Sequence, residues 1–405
     1  MTDRSIRRQS EFGIDIAVLL LLCGLSVMST GCVPAAAIER PANPPVVPDF
    51  SAEDPSCKVK SVEKYPAEFE NLGKLPGRDL YAFTYLDEKG VYQVYTSHAP
   101  RREGATCITC TARLNGPKVD RNKPMISWHQ SGNWLIVGVE RDNHELQWTP
   151  KTWQRGLLQS GMWLNVWVTT PTGDRWFQIT DFKKTRTAPS DGFVGGFAPD
   201  GTKGVWAEIV DGNVLVNAFG AWKLFVSDFR VSPDGTPGFV NKRDITPPGA
   251  RWVEPGGFAP DGRRLLISSD IGLKDARGQD QYSLDIRSGE VRNLTNTPNV
   301  WDEHGLYSRS GRKIVFMSSY PYRNEPDSHN IASLKTEFML MDADGSHLRQ
   351  LTHFNVPGYA ESQRGRTVAA VAGFMDNPAQ LFATVMTPDF GKSNWVITFE
   401  GPCDR

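Results

Sequence analysis

The amino-acid sequence predicts an all-β fold, a six-bladed β-propeller of four-stranded antiparallel blades, preceded by a signal peptide and a Pro-rich tether. Three observations carry this reading. A glycine turn followed by a short β-rich run recurs six times, as in "LPGRDLYAFTY", "HQSGNWLIVGV", "APDGTKGVWAE", "APDGRRLLISS", "SRSGRKIVFMS" and "SQRGRTVAAVA", anchored on Gly77, Gly132, Gly201, Gly262, Gly311 and Gly365. Each unit then closes on an Ile/Leu-Thr pair, at Thr109, Thr180, Thr246, Thr295, Thr352 and Thr398. The 405 residues include 37 Gly, 28 Pro and 12 Trp, a composition suited to many short strands joined by tight turns. Four strands per unit, repeated along a chain, describe a propeller blade, because radial stacking leaves only short, protected edges. A sandwich or barrel is the competing fold, and six units in one internal order speak against it.

Residues 1–31 read as a signal peptide. Arg4, Arg7 and Arg8 precede the apolar run "IAVLLLLCGLSV", about a dozen residues, too short to span a bilayer comfortably. The run leads into "STGC", where small residues ahead of Cys32 resemble a bacterial lipobox; Ser29 stands where Leu is usual. The resemblance implies lipid attachment at Cys32. Ordinary cleavage near "VPAAA" is the alternative. Residues 32–60, rich in Pro and Ala, are expected to form an extended tether, and residues 61–400 the propeller. Export to the periplasm or cell envelope, with membrane contact through the lipid, follows.

Cysteine usage agrees with an oxidising compartment. Beyond Cys23 and Cys32 there are Cys57, Cys107, Cys110 and Cys403, and four cysteines permit three pairings. Cys57 lies just before the first unit and Cys403 just after the last, so a disulfide between them would clasp the ring. The sixth unit reads as complete through Thr398, and no strand borrowed from the N-terminus is expected. Cys107 and Cys110, in "CITC", read as a structural disulfide or two capped thiols. A redox-active pair would need a helix N-terminus or a βαβ setting that the sequence does not show.

The stretches "GGFAPDGTKGVWAEI" and "GGFAPDGRRLLISSD", with "MDADGSHLRQLTHF" and "RSGEVRNLTNT", resemble the WD-type Pro-Asp repeat of the TolB-like propeller family over about residues 65–398. The resemblance implies the fold and leaves the activity open, since such propellers serve as binding scaffolds, as enzymes and as covers of serine peptidases. "HQSG", "SRSG" and "SQRG" depart from the usual turn.

In such a blade the links from fourth strand to next inner strand open on the same face as the loops between second and third strands. Two long loops of the latter kind, about 141–161 and 320–336, elaborate that face, where binding usually lives. Trp148, Trp153, Trp163, Tyr320 and Tyr322 would either rim it or pack the insertions onto the ring. Glu254 and Glu303 each stand eight residues before a turn glycine, and Trp252 and Trp301 ten before. Both carboxylates are therefore expected near the channel mouth, with His304 beside Glu303 and Glu361 starting the sixth inner strand.

Three readings of this set stand. Glu254, Glu303, His304 and Glu361 would bind one divalent cation, the only cofactor the sequence suggests. Alternatively Glu303 and His304 would act as acid and base in a lyase or hydrolase of a polysaccharide. The plain reading has carboxylates capping amides along a wet channel. His129, at the opposite end of its strand, reads as structural. With 45 Lys+Arg against 46 Asp+Glu, nucleic acid is not an expected partner; a protein or glycan of the envelope is. No GxSxG elbow, Walker loop, HExxH or dinucleotide fingerprint occurs, and no serine-hydrolase domain is expected after the sixth unit.

Overall fold

Runs such as Leu135–Glu140 are buried at every position, so both faces of the strand are covered. Packed faces of adjacent sheets supply that cover. The computed structural model describes residues 55–404 except 67–68, 70, 76, 143–162, 183–191, 212–219, 274–277, 298, 326–332 and 388–390. The expected signal peptide, Cys32, the expected tether up to residue 54, Trp148 and Trp153 lie outside the described residues.

A first strand, β1 (Val59–Lys64), precedes the blades. Blade 1 is β2 (Asn71–Lys74), β3 (Tyr81–Leu86), β4 (Tyr92–Ser97) and β5 (Thr106–Cys107); blade 2 is β6 (Met125–Trp128), β7 (Leu135–Glu140), β8 (Leu164–Thr169) and β9 (Trp176–Gln178). Blade 3 is β10 (Gly192–Phe197), β11 (Lys203–Asp211), β12 (Ala221–Val231) and β13 (Pro237–Asp244). Blade 4 follows as β14 (Val253–Phe258), β15 (Arg264–Ser269), β16 (Asp280–Asp285) and β17 (Val291–Asn293), and blade 5 as β18 (Asp302–Tyr307), β19 (Lys313–Ser318), β20 (Glu337–Asp342) and β21 (Arg349–Gln350). Blade 6 contains β22 (Val368–Phe374), β23 (Gln380–Met386) and β24 (Lys392–Phe399), and its fourth strand is β1. All six sheets are four-stranded and antiparallel.

The sixth blade corrects the expectation drawn from sequence. Val62 pairs with Ile397 and Lys64 with Trp395, so the ring does borrow its closing strand from the N-terminus. Gly365 sits before the inner strand β22 instead of after it, and Thr398 lies in the third strand. The sixth sequence repeat is thus one strand out of step with its blade. Cys57 is bonded to Cys403 beside this seam, and Cys107 to Cys110.

The recurring threonine has a mechanical explanation. Thr109, Thr180, Thr295 and Thr352 each accept the backbone N–H of a third-strand residue, Val94, Val166, Gln281 and Phe338. Each also donates to the side chain one residue earlier, Gln93, Asn165, Asp280 and Glu337. A hydroxyl can do both at once. Asn165, Asp280 and Glu337 then take the N–H of Phe182, Thr297 and Phe354, which secures the chain leaving each blade. Asn394 takes the N–H of Phe69 in the same way, so the exit from β1 is held like the others.

Apolar layers fill the space between blades. One runs from Trp163 and Leu164 through Val205 and Leu224 to Leu265 and Tyr282, joining blades 2, 3 and 4. Another gathers Val62, Phe338, Phe354, Ala383, Trp395 and Ile397 around the closing seam. On the turn side, blades touch through the glycine loops. His129 Nε2 lies 2.9 Å from the Gly201 carbonyl oxygen and Nδ1 2.8 Å from Ser131 Oγ. Gly201 has φ +70°, and a Cβ there would stand 2.5 Å from the His129 ring. Burial holds this imidazole below its usual range, as befits a structural residue.

Lys123 is fully buried, and its Nζ donates to Gln93 Oε1 at 3.1 Å and to the Val119 carbonyl at 3.0 Å. Burial pushes its pKa from 10.5 down to about 7 against the pull of Asp120, Asp87 and Glu140. Above pH 7 the unfolded chain therefore binds a proton that the folded chain has released, and stability rises with pH up to the unfolded value. Relative to Lys123→Met, wild-type unfolding free energy should climb by up to about 1.4 kcal/mol per pH unit between pH 7 and 10. Denaturant melts of both proteins across that range would check this; a flat difference would refute it.

Candidate functional site

Glu254 and Glu303 are the second residues of β14 and β18, opposite Ser268 and Met317 of the neighbouring strands. Both lie where inner strands begin, at the end of the channel onto which the connections between blades and the loops between second and third strands open. Regular alternation would turn His304 to the face opposite Glu303. A bulge between Glu303 and Leu306, with His304 at φ +58°, breaks that alternation and swings the imidazole toward both glutamates. Gly256 and Gly305 make this possible, because a Cβ on Gly256 would stand 2.4 Å from the Gly305 carbonyl oxygen and one on Gly305 2.2 Å from Gln281 Oε1.

His304 consequently touches three blades. Its Nε2 lies 3.4 Å from Glu254 Oε1 in blade 4 and 4.0 Å from Glu303 Oε2 in blade 5. Its Nδ1 lies 2.8 Å from the Ala370 carbonyl oxygen in blade 6, an acceptor that requires the N–H on that nitrogen. The His304 backbone N–H donates to Ser268 Oγ, which also accepts from Gln281. Behind Glu303, Trp301 Nε1 donates to Oε2 at 2.8 Å. Among the described residues, Glu254, Glu303 and His304 offer three donor atoms within 4.8 Å of one another.

The charges follow from this packing. Burial alone would lower the His304 pKa, but Glu254 and then Glu303 outweigh it and raise it to about 10. Burial raises Glu303 to about 7, with Glu254 adding and His304 opposing. Near neutral pH the imidazole is thus an imidazolium between two carboxyl groups. The cluster can pair with a cationic group, accept hydrogen bonds from hydroxyls, exchange a proton, or ligate a metal ion.

Other candidates fall elsewhere. Asp302 turns away from Glu303 and is raised to about 7, first by burial and then by Asp280; its Oδ2 meets Thr297 Oγ1. Glu361 lies in the connection between β21 and β22, where Oε1 accepts the His353 backbone N–H and stands 3.6 Å from His353 Nδ1. It does not start the sixth inner strand and is not among the three converging donors. Trp301 is buried behind Glu303 and Trp252 within the core between blades. Trp163 is fully buried, and Tyr322 is buried with its hydroxyl on Glu337, so neither rims the mouth. Tyr320 is half-buried, with Arg323 over its ring.

Sequence reasoning missed the Ala370 carbonyl and Ser268. A backbone acceptor has no residue signature, whereas the matching "ISSD" and "MSSY" at the ends of β15 and β19 were a readable sign of a repeated serine.

No protein-family model and no curated protein matches the chain. Its structural similarity is to TolB and related six-bladed β-propellers. A TolB from Acinetobacter baumannii shares 15% identity at a TM-score of 0.43, over 82% of this chain and 65% of that one. This chain thus spans just under two thirds of that TolB's length. A putative TolB from Agrobacterium tumefaciens shares 15% at 0.47, over 83% and 91%. An oligogalacturonate lyase in complex with manganese shares 13% at 0.45, over 84% and 90%. These likenesses concern the fold alone.

Proposed function

We propose that the protein is exported, held to a membrane by lipid on Cys32, and acts as a binding scaffold of the cell envelope whose protein or glycan ligand sits over the channel mouth. The observation that carries this is the convergence of Glu254, Glu303 and His304 at the loop-bearing end of the ring. Desolvating charged groups is costly unless they are paired, and this cluster holds two carboxyl groups against one imidazole while leaving His304 28% exposed. A ligand donor at the mouth would complete the pairing. The leader, the small residues before Cys32 and two disulfides support export.

A second reading, a metal-assisted lyase or hydrolase of a polysaccharide, draws support from Glu303, whose pKa near 7 suits proton transfer at neutral pH. Photo-crosslinkers in the full-length protein separate a loop-face scaffold from other arrangements. A crosslinker at exposed Tyr359, in the connection between β21 and β22, should yield envelope adducts that Glu303→Gln suppresses, and one at Arg312, on the turn side, should not. Adducts from Arg312 alone, or none from Tyr359, would refute the scaffold reading.

A further inference from the structure

Glu254 and Glu303 bring two carboxylates from adjacent blades to one point, and their ion pairs among the described residues are with His304 alone. Among the described residues no lysine or arginine is paired with either. The third donor is an imidazole oriented for ligation, whose Nε2 gives up its proton when a metal binds. With its proton on Nδ1 engaged by the Ala370 carbonyl, the nitrogen directed at both glutamates is Nε2. Metal-ligating histidines are typically oriented by such a contact on the other ring nitrogen. Glu303 has its own supporting donor in Trp301 Nε1. The left-handed backbone at His304 is an uncommon conformation for a non-glycine residue, and it is what directs the ring into the cluster.

We infer that Glu254 Oε1, Glu303 Oε2 and His304 Nε2 are the protein ligands of a first-row divalent cation, of the zinc or manganese class, whose remaining coordination positions face the channel and are completed by the scaffold's ligand. This rests on the proposed function only for the identity of that outer ligand. Two ligands held at about 2.0–2.2 Å by a tetrahedral ion stand about 3.4 Å from each other, so the 3.4 Å from Nε2 to Glu254 already fits a shared ion and the 4.0 Å to Glu303 needs only a small closure. The donor set also selects the ion. Calcium takes about 6–8 oxygens, whereas one imidazole and two carboxylates suit borderline ions that keep open positions. Among the described residues no third donor joins the pair of His353 and Glu361.

Calorimetric titration of full-length, chelator-stripped protein with zinc, manganese and calcium chlorides tests the site. The expected result is one-to-one binding of zinc or manganese, at least about 10-fold tighter than calcium. Glu254→Gln and His304→Gln should each abolish it, and Trp301→Phe should weaken it about 10- to 100-fold, as loss of an orienting partner does. His353→Ala should leave it unchanged. Absence of one-to-one binding, a preference for calcium, or binding that survives Glu254→Gln in protein with an intact circular-dichroism melt would overturn the site. Repeating the Tyr359 crosslinking in chelator keeps the two ideas apart. Adducts lost in chelator support the cation as the bridge to the ligand, and adducts that persist overturn that bridge while leaving the scaffold standing.

Discussion

Cys57→Ser/Cys403→Ser should be the most damaging disulfide removal, lowering unfolding free energy by about 6 kcal/mol on the loop-entropy estimate. The estimate grows with the loop closed, and this bond joins residues 346 apart, whereas Cys107–Cys110 closes a separation of 3. Cys107→Ser/Cys110→Ser should therefore cost only about 1–2 kcal/mol. The clasp also holds more than a loop. Cys57 and Cys403 are buried in the same layer as Val62, Trp395 and Ile397, and β1 covers the edge of β24 through pairs from Val59 to Lys64. An uncovered edge strand is a template for aggregation. Deleting residues 55–64 should accordingly lower the melting temperature further than the double serine variant and add concentration-dependent aggregation. Urea melts followed by tryptophan fluorescence, with light scattering, would measure both. Equal losses for the two disulfides would refute the closure account.

That seam also shows where sequence legibility stops. The glycine turns were readable because a tight turn often requires positive φ, seen at Gly77, Gly132, Gly201, Gly262 and Gly311. Gly365 has positive φ too, at +83°, but in the loop ahead of β22, so the signal identifies a turn without saying which turn. The true turn from β22 to β23 is "MDNPAQ", built without glycine. Thr398 compounded the error. It follows an isoleucine, as the other five follow isoleucine or leucine, yet its hydroxyl meets Gln380 Nε2 within the sheet rather than binding a blade exit. The Glu361 assignment inherits this one-strand shift. Counted back from the end of the inner strand, the position equivalent to Glu254 and Glu303 is Ala370, and there the side chain matters less than the carbonyl that takes the His304 proton. Glu254, Glu303 and His304 were legible because their place depends on spacing within a repeat. The bulge that gathers them was not, since it arises from packing between blades.

His304→Ala should destabilise the ring by about 3 kcal/mol near pH 8, measured in chelator, because removing one partner of a largely buried ion pair leaves the others uncompensated. The two carboxyl groups left behind are 12% exposed by side chain and face each other with no other ion-pair partner among the described residues. Glu254→Gln in that background removes one of the opposed charges, so the double variant should recover at least half the loss; the two substitutions are then strongly non-additive. A wholly steric role for His304 predicts the opposite, since a second substitution would add its own cost. The pH dependence has a definite sign. The folded-state pKa of His304, raised to about 10, exceeds the unfolded value of about 6.5. Its contribution is therefore fully present below about 6.5 and is lost as pH rises through 10. The wild-type advantage over His304→Ala should shrink between pH 8 and 10, by up to about 1.4 kcal/mol per unit at its steepest. That range lies above the titration of Glu303 near 7 in the wild type, which keeps the two groups apart. An advantage that stays constant to pH 10 would mean that the imidazole is neutral throughout and that the glutamates, not the histidine, hold the proton at the channel mouth.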